Sequence, residues 1–182
     1  MSIVGFRSEN HPQQIGRRGA KDAVDDRGTD PAFIAQLEAE FGAFTLDVAA
    51  APHNAKAPSF YTIEDNGLTQ PWTGNVWCNP PYSNITPWVE KAWFEWGRGG
   101  HVDLERIVML LPANRCEQKW WQQLVEPERD RGKVLEVRFL PGRMRFHRPD
   151  WTPGPKGDRP PFGCCLLIWS ADYLVFDTGG SS

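Results

Sequence analysis

No apolar run in the 182-residue chain approaches the roughly 20 residues that a helix needs to cross a bilayer. The first residues also lack the apolar core of a secretory signal. The expectation is a cytoplasmic protein with no membrane partner. Basic charge is not in excess either: 20 Lys and Arg stand against 23 Asp and Glu, for a net charge of −3. That excludes a global positive field, so any contact with nucleic acid has to come from local patches. The four cysteines, Cys78, Cys116, Cys164 and Cys165, form no C-x-x-C pair. A zinc ribbon and a dithiol redox centre are thereby excluded, and the cysteines read as small buried or half-buried residues in a reducing compartment. No ligand cluster is present, and no metal is expected. Also missing are an internal repeat and a phosphate-binding Gly-x-x-x-x-Gly-Lys motif.

Tryptophan, by contrast, is abundant, with nine residues in a chain of single-domain length. Most are expected in the core. Residues 1–28 are polar and mix Arg and Lys with Asp, without apolar periodicity, and read as a mobile arm. The folded part then runs over 29–178, with a frayed, disordered tail at 179–182. The sequence is silent on oligomeric state.

The folded part centres on Val76-Trp77-Cys78-Asn79-Pro80-Pro81-Tyr82. Residues 75–78 read as a short buried strand. Asn79 stands at its end, and two prolines with stiff φ angles and no N–H groups follow. Pro80 confines Asn79 to extended or turn geometry. Such a corner holds an amide side chain, backbone carbonyls and an aromatic ring in fixed relation, which suits a planar group bearing an exocyclic amine.

Around this corner the pattern alternates helix and strand. Thr29 or Asp30 can cap a helix that has Pro31 at its first position and carries Phe33, Ile34, Leu37 and Phe41 at helical spacing, stopped by Gly42. Residues 44–48 alternate like a strand and place Asp47 at its end, where open α/β sheets bind ligands. Residues 60–63 form a candidate short strand. A helix opened by Thr86-Pro87 has a core face of Trp88, Val89, Ala92, Trp93 and Trp96. An apolar strand at 106–111 fits the middle of a parallel sheet and ends beside Asn114 and Arg115. A helix is expected at 116–125, and strands at 133–140, within 162–169 and at 173–176. The densest basic segment, Arg143-Met144-Arg145-Phe146-His147-Arg148, interleaves charge with an aromatic ring, as contact with phosphate and bases requires. The loop at 149–161, rich in Pro and Gly, is too polar to carry a core.

The Asn79-Pro80-Pro81-Tyr82 tetrapeptide resembles the Asn-Pro-Pro-Tyr motif of amino-group methyltransferases that use S-adenosylmethionine. The order of elements is similar to that of the phage-type DNA N-6-adenine methyltransferases: Thr-x-Pro, then Phe-x-Leu-Asp-Val-Ala-Ala, Asp-Asn-Gly-Leu, Trp-Cys-Asn-Pro-Pro-Tyr, Leu-Leu-Pro-Ala and Phe-Leu-Pro-Gly-Arg-x-x-Phe. The likeness covers roughly residues 29–169. It implies a Rossmann-like α/β fold, mostly parallel, with helices on both faces, S-adenosylmethionine as donor, and adenine in double-stranded DNA as acceptor, in phage or prophage DNA modification. It assigns catalysis to Asn79, Pro80, Pro81 and Tyr82. The cofactor falls to Thr29, Pro31, Asp47, Ala49, Asp65 and Asn79. Nucleic-acid contacts fall to Asn114, Arg115, Arg143, Arg145 and Arg148.

Two departures stand out. Val48 replaces a proline after Asp47, and no Gly-x-Gly follows, so the cofactor turn is built from alanines. The interval between the Asp47 strand and the motif strand is also too short for the usual two strands and their helices, which predicts a trimmed sheet. The tetrapeptide also serves enzymes that methylate RNA base amines or protein glutamine. A non-catalytic DNA-binding remnant is the reading from a different class.

Overall fold

The computed structural model describes residues 28–97, 103–129, 134–144, 146–147 and 162–171. The elements in chain order are β1 (Gly28–Thr29), α1 (Pro31–Phe41), β2 (Leu46–Asp47), β3 (Ser59–Phe60), β4 (Gly74–Cys78), α2 (Thr86–Gly97), β5 (Leu104–Pro112), a 3-10 turn (Ala113–Arg115), α3 (Lys119–Leu124), β6 (Leu135–Phe139), β7 (Phe146–His147) and β8 (Cys164–Ser170). Six strands form one sheet in the order β3-β2-β4-β5-β8-β6. The pairs from β3 to β5 are parallel, and β8 runs antiparallel to both β5 and β6. Only β8 is therefore reversed, and the sheet is a mostly parallel, Rossmann-like one.

Alternation along the central strands feeds two cores. Val76 and Cys78 of β4, Ile107, Met109 and Leu111 of β5, and Cys165, Leu167 and Trp169 of β8 face α2 and α3. Trp77, Val108, Leu110, Cys164, Leu166 and Ile168 face α1. A sheet covered on both faces demands the near-continuous apolar runs found in β5 and β8. The tryptophans fill the first core: Trp72, Trp88, Trp96, Trp120, Trp121 and Trp169 are all buried. Trp93 is half-buried and meets Trp169 edge-on, with ring centroids 5.5 Å apart. Cys78, Cys164 and Cys165 are buried as expected, whereas Cys116 is exposed on the turn before α3.

α1 begins as its sequence suggests. Of the two candidate caps it is Asp30 that acts, its Oδ1 accepting from Ala32 N–H at 2.9 Å, with Pro31 next. Gly42 ends the helix at φ 84°, a conformation costly for any residue with a Cβ. Asn75 then closes the helix end onto the sheet, its Nδ2 donating to the carbonyls of Phe41, Gly42 and Ala43. The loop before β4 is anchored from below by Gly67. A Cβ there would stand 2.1 Å from the Val48 carbonyl oxygen, and the Gly67 carbonyl accepts from Trp72 Nε1 at 2.9 Å.

Several expectations are corrected. The strand read at 44–48 narrows to Leu46–Asp47, and the one at 60–63 to Ser59–Phe60. The helix expected at 116–125 starts later, because the 3-10 turn and a Gln118 N–H to Arg115 carbonyl bond occupy the preceding residues. Gly28, assigned to a mobile arm, instead pairs with His147, and Thr29 with Phe146, in a two-stranded ribbon. Between β2 and β4 the described residues hold a single two-residue strand and no helix, as the short interval predicts. The rest of the expected arm, the 149–161 loop, the strand at 173–176 and the tail lie outside the described residues. Among the described residues, no helix is long and apolar enough to cross a membrane.

Candidate active site

Parallel register places the ends of β2 and β4 together. Asp47 is the partner of Trp77, two residues before Asn79. A pocket opens there, lined by Gly28, Thr29, Asp47, Ala49, Asn54, Lys56, Trp77 and Asn79. Four of the sequence-derived site residues, Thr29, Asp47, Ala49 and Asn79, thus meet in one cavity, although they come from β1, β2 and the segments following β2 and β4.

Asp47 is only 3% exposed. Its Oδ2 accepts from Lys56 N–H at 3.0 Å and its Oδ1 from Ala49 N–H at 3.3 Å. Burial nevertheless dominates and pushes its carboxyl from 3.8 up to about 6, against the downward pull of those bonds and of the Lys56 charge. The alanine turn is built without glycine. Ala50 N–H donates to the Tyr61 carbonyl, and Ala51 N–H to Asn54 Oδ1 at 2.8 Å. Thr29 is 1% exposed, and its hydroxyl is buried without a hydrogen-bond partner.

Asp65 is not brought to this pocket. It stands exposed on the turn after β3, where its Oδ2 accepts from both the N–H and the hydroxyl of Thr62 at 2.8 Å, bonds that lower its pKa. A short acid three residues after a Thr satisfies its own turn first. Pro31 is exposed at the head of α1 and does not line the pocket, although its neighbour Thr29 does.

A sequence profile described as DNA N-6-adenine-methyltransferase (Dam) matches residues 18–171. The chain belongs to this family. It is 40% identical over 96 residues to a DNA N-6-adenine-methyltransferase of Escherichia phage T1, covering 51% of this chain and 38% of that protein. It is 39% identical over 83 residues to a DNA N-6-adenine-methyltransferase of Haemophilus phage HP1 (strain HP1c1), covering 45% of each. The chain thus spans less than half the length of these two relatives. Among solved structures it is similar to a release factor-specific protein-(glutamine-N5) methyltransferase of Alicyclobacillus acidocaldarius, with a TM-score of 0.34 and 14% identity over 89% of this chain and 99% of that one. So loose a likeness carries no argument.

In this Dam-family chain, Pro80 is buried beside the pocket while Pro81 and Tyr82 are half-buried. The Tyr82 ring is met at steep angles by Phe146 of β7 and by Phe162, with centroids 6.2 and 6.1 Å away. The ribbon of β1 and β7 therefore joins the pocket, through Thr29, to the aromatic cluster, through Phe146. Asn114 and Arg115 follow β5, with Asn114 exposed and Arg115 half-buried. The Arg115 Nε is buried without a partner. Neither residue lines the pocket. Arg143 is exposed near Gly142, and Arg145 and Arg148 lie outside the described residues. Among the described residues no group of His, Cys, Asp and Glu could hold a metal ion.

The sequence reading missed Gly28, Asn54, Lys56 and Trp77 as lining residues. The one available signal was a strand-end acid followed closely by a lysine, and it becomes specific only when the loop folds back so that Lys56 N–H caps Asp47.

Proposed function

We propose that the protein transfers a methyl group from S-adenosylmethionine to the N6 amine of adenine in double-stranded DNA, at specific sites and after the base has left the stack. The observation that carries this reading is a pocket shared by Asp47 and Asn79 at the ends of paired parallel strands. The residues fit the donor. Asp47 is a buried carboxylate that a cationic amine would stabilise, and the buried Thr29 hydroxyl lacks a partner that a polar ligand atom would supply. Thr29, Asp47, Ala49 and Asn79 would hold the cofactor, with Pro31 fixing the approach to Thr29. When bound, S-adenosylmethionine supplies an electrophilic methyl group on a sulfonium.

The remaining chemistry belongs to the chain. Asn79 Oδ1 and the Pro80 carbonyl accept hydrogen bonds from the two N6 hydrogens, while Pro81 stiffens the turn. Tyr82 stacks on the extruded ring, compensating a flipping cost of roughly a few kcal/mol. The conjugated amine is a poor nucleophile, and acceptors aimed at its pyramidal, transferring form stabilise the transition state more than the ground state. The N6 proton passes to solvent water after the nitrogen becomes cationic, so Asn79 need not act as a base. Asn114, Arg115, Arg143, Arg145 and Arg148 contribute phosphate and sugar contacts that set the register on the duplex.

The test is incubation of the protein with labelled S-adenosylmethionine and adenine-unmethylated duplex DNA, followed by digestion to nucleosides. Label in N6-methyladenine is the expected result. Cofactor binding without that product would move the acceptor to an RNA base amine or a protein glutamine. Absence of cofactor binding would leave the non-catalytic DNA-binding remnant.

A further inference from the structure

We propose that Lys56 binds the carboxylate of the cofactor's amino-acid end, so that Asp47 and Lys56 together form a receptor for a zwitterion. The inference rests on the cofactor reading above. Both residues line the same pocket. The residues are locked to each other through the backbone, since Lys56 N–H donates to Asp47 Oδ2 at 3.0 Å. The loop that returns Lys56 to β2 is itself pinned, with Ala51 N–H on Asn54 Oδ1 and Asn54 N–H on the Ala51 carbonyl. The ammonium is therefore carried on a fixed turn and not on a loose surface loop.

The charges call for a ligand of mixed sign. Among the described residues no carboxylate lies within ion-pair distance of the Lys56 ammonium. The residue is half-buried, and its pKa is lowered, with burial outweighing the pull of the Asp47 and Asp30 charges. Asp30 already serves the start of α1 through Ala32 N–H. Asp47 accepts two backbone N–H groups and remains a partly desolvated acid. An α-amino acid carries an ammonium and a carboxylate on one carbon, so a single ligand group offers a counter-charge to each. The Thr29 hydroxyl, buried without a partner in the same pocket, gives the carboxylate a second donor. Asp47 thus takes the amine, and Lys56 with Thr29 takes the acid.

The experiment is a binding cycle by calorimetry. The parent protein and Lys56→Met, which keeps the aliphatic stem, are each titrated with S-adenosylmethionine and with decarboxylated S-adenosylmethionine. The variant is expected to lose about tenfold or more in affinity for the full cofactor, the scale of a charge-assisted bond, and less than about twofold for the decarboxylated one. Unchanged affinity for the decarboxylated ligand also reports an intact fold. Lys56→Arg is expected to recover part of the loss. Equal losses on both ligands, or no loss on either, would overturn the assignment. If the parent bound neither ligand, the cofactor reading itself would fail, a result distinct from failure of Lys56 alone.

Discussion

Strands β5 and β8 run side by side for nine and seven residues, whereas β2, which supplies Asp47 to the pocket, and its edge neighbour β3 contribute two each. All seven residues of β8 are buried. The β2 side passes almost at once into turns whose N–H groups converge on Asp47. Cohesion and chemistry are thus lodged in different halves of one sheet. Long strands bury apolar side chains on both faces and leave no room for a ligand. Short strands end early, expose backbone donors at their tips, and tolerate a buried acid because stability is supplied elsewhere. The division extends to the far edge, where Arg138 bridges Glu40 and Glu136 and covers the Phe41 ring, while Arg106 donates to the Phe41 carbonyl at 2.7 Å. These contacts fasten α1 to the long-stranded half.

Trp169→Ala should cause the largest change in stability. It empties a fully buried site against Trp93, and urea unfolding is expected to register a loss of about 3–5 kcal/mol. A loss under about 1 kcal/mol would mean that cohesion is not concentrated there.

Asn79→Ala should do the reverse. Turnover is expected to fall by roughly 10²–10³, as for removal of an aimed transition-state hydrogen bond. Stability should move by less than about 1 kcal/mol. Single-turnover methylation and urea unfolding on the same preparation separate the two, and near-parent turnover would sink the catalytic assignment.

Asp47→Asn tests the strain of the short-stranded half through pH. The folded carboxyl titrates at about 6 instead of 3.8, so the folded protein retains a proton that the unfolded chain has lost. Its stabilising contribution is complete below pH 3.8 and is lost as pH rises through 6. Relative to the parent, the ligand-free variant should therefore gain up to roughly 3 kcal/mol between acid and neutral pH. An Asn leaves one of the two backbone donors less well served, an offset that does not vary with pH, so the slope of the difference is the quantity to read. Parallel curves would contradict the raised pKa. The variant should also bind S-adenosylmethionine poorly.

The smallest effect is expected from the exposed Arg143. Arg143→Ala should weaken DNA binding about equally across sequences and lower the slope of log affinity against log salt by about one. An unchanged salt slope in fluorescence anisotropy titrations would remove Arg143 from the phosphate contacts.

The local features were legible in the chain. Val76 to Tyr82 carries its strand and turn in adjacent residues, and α1 announces itself through Asp30, Pro31, an apolar spacing and Gly42. The shortness of the β2-to-β4 interval follows from counting residues. At Asp65 the sequence is less decisive, because a turn acid and a ligand-binding acid look alike until their partners are known, and in the fold Asp65 bonds Thr62 outside the pocket.

What the residue order could establish was therefore periodic or contiguous: the alternation of strands and helices, the caps, and the Asn-Pro-Pro-Tyr corner. The pairing of Gly28–Thr29 with Phe146–His147 left no trace in periodicity, because two-residue strands have none and the partners are far apart in the chain. The reversed insertion of β8 between β5 and β6, the burial of Asp47 and the return of Lys56 to its carboxylate likewise arise only when the chain closes on itself. Burial, and with it the electrostatics of the pocket, depends on which distant segments exclude water, a property that no stretch of sequence carries alone.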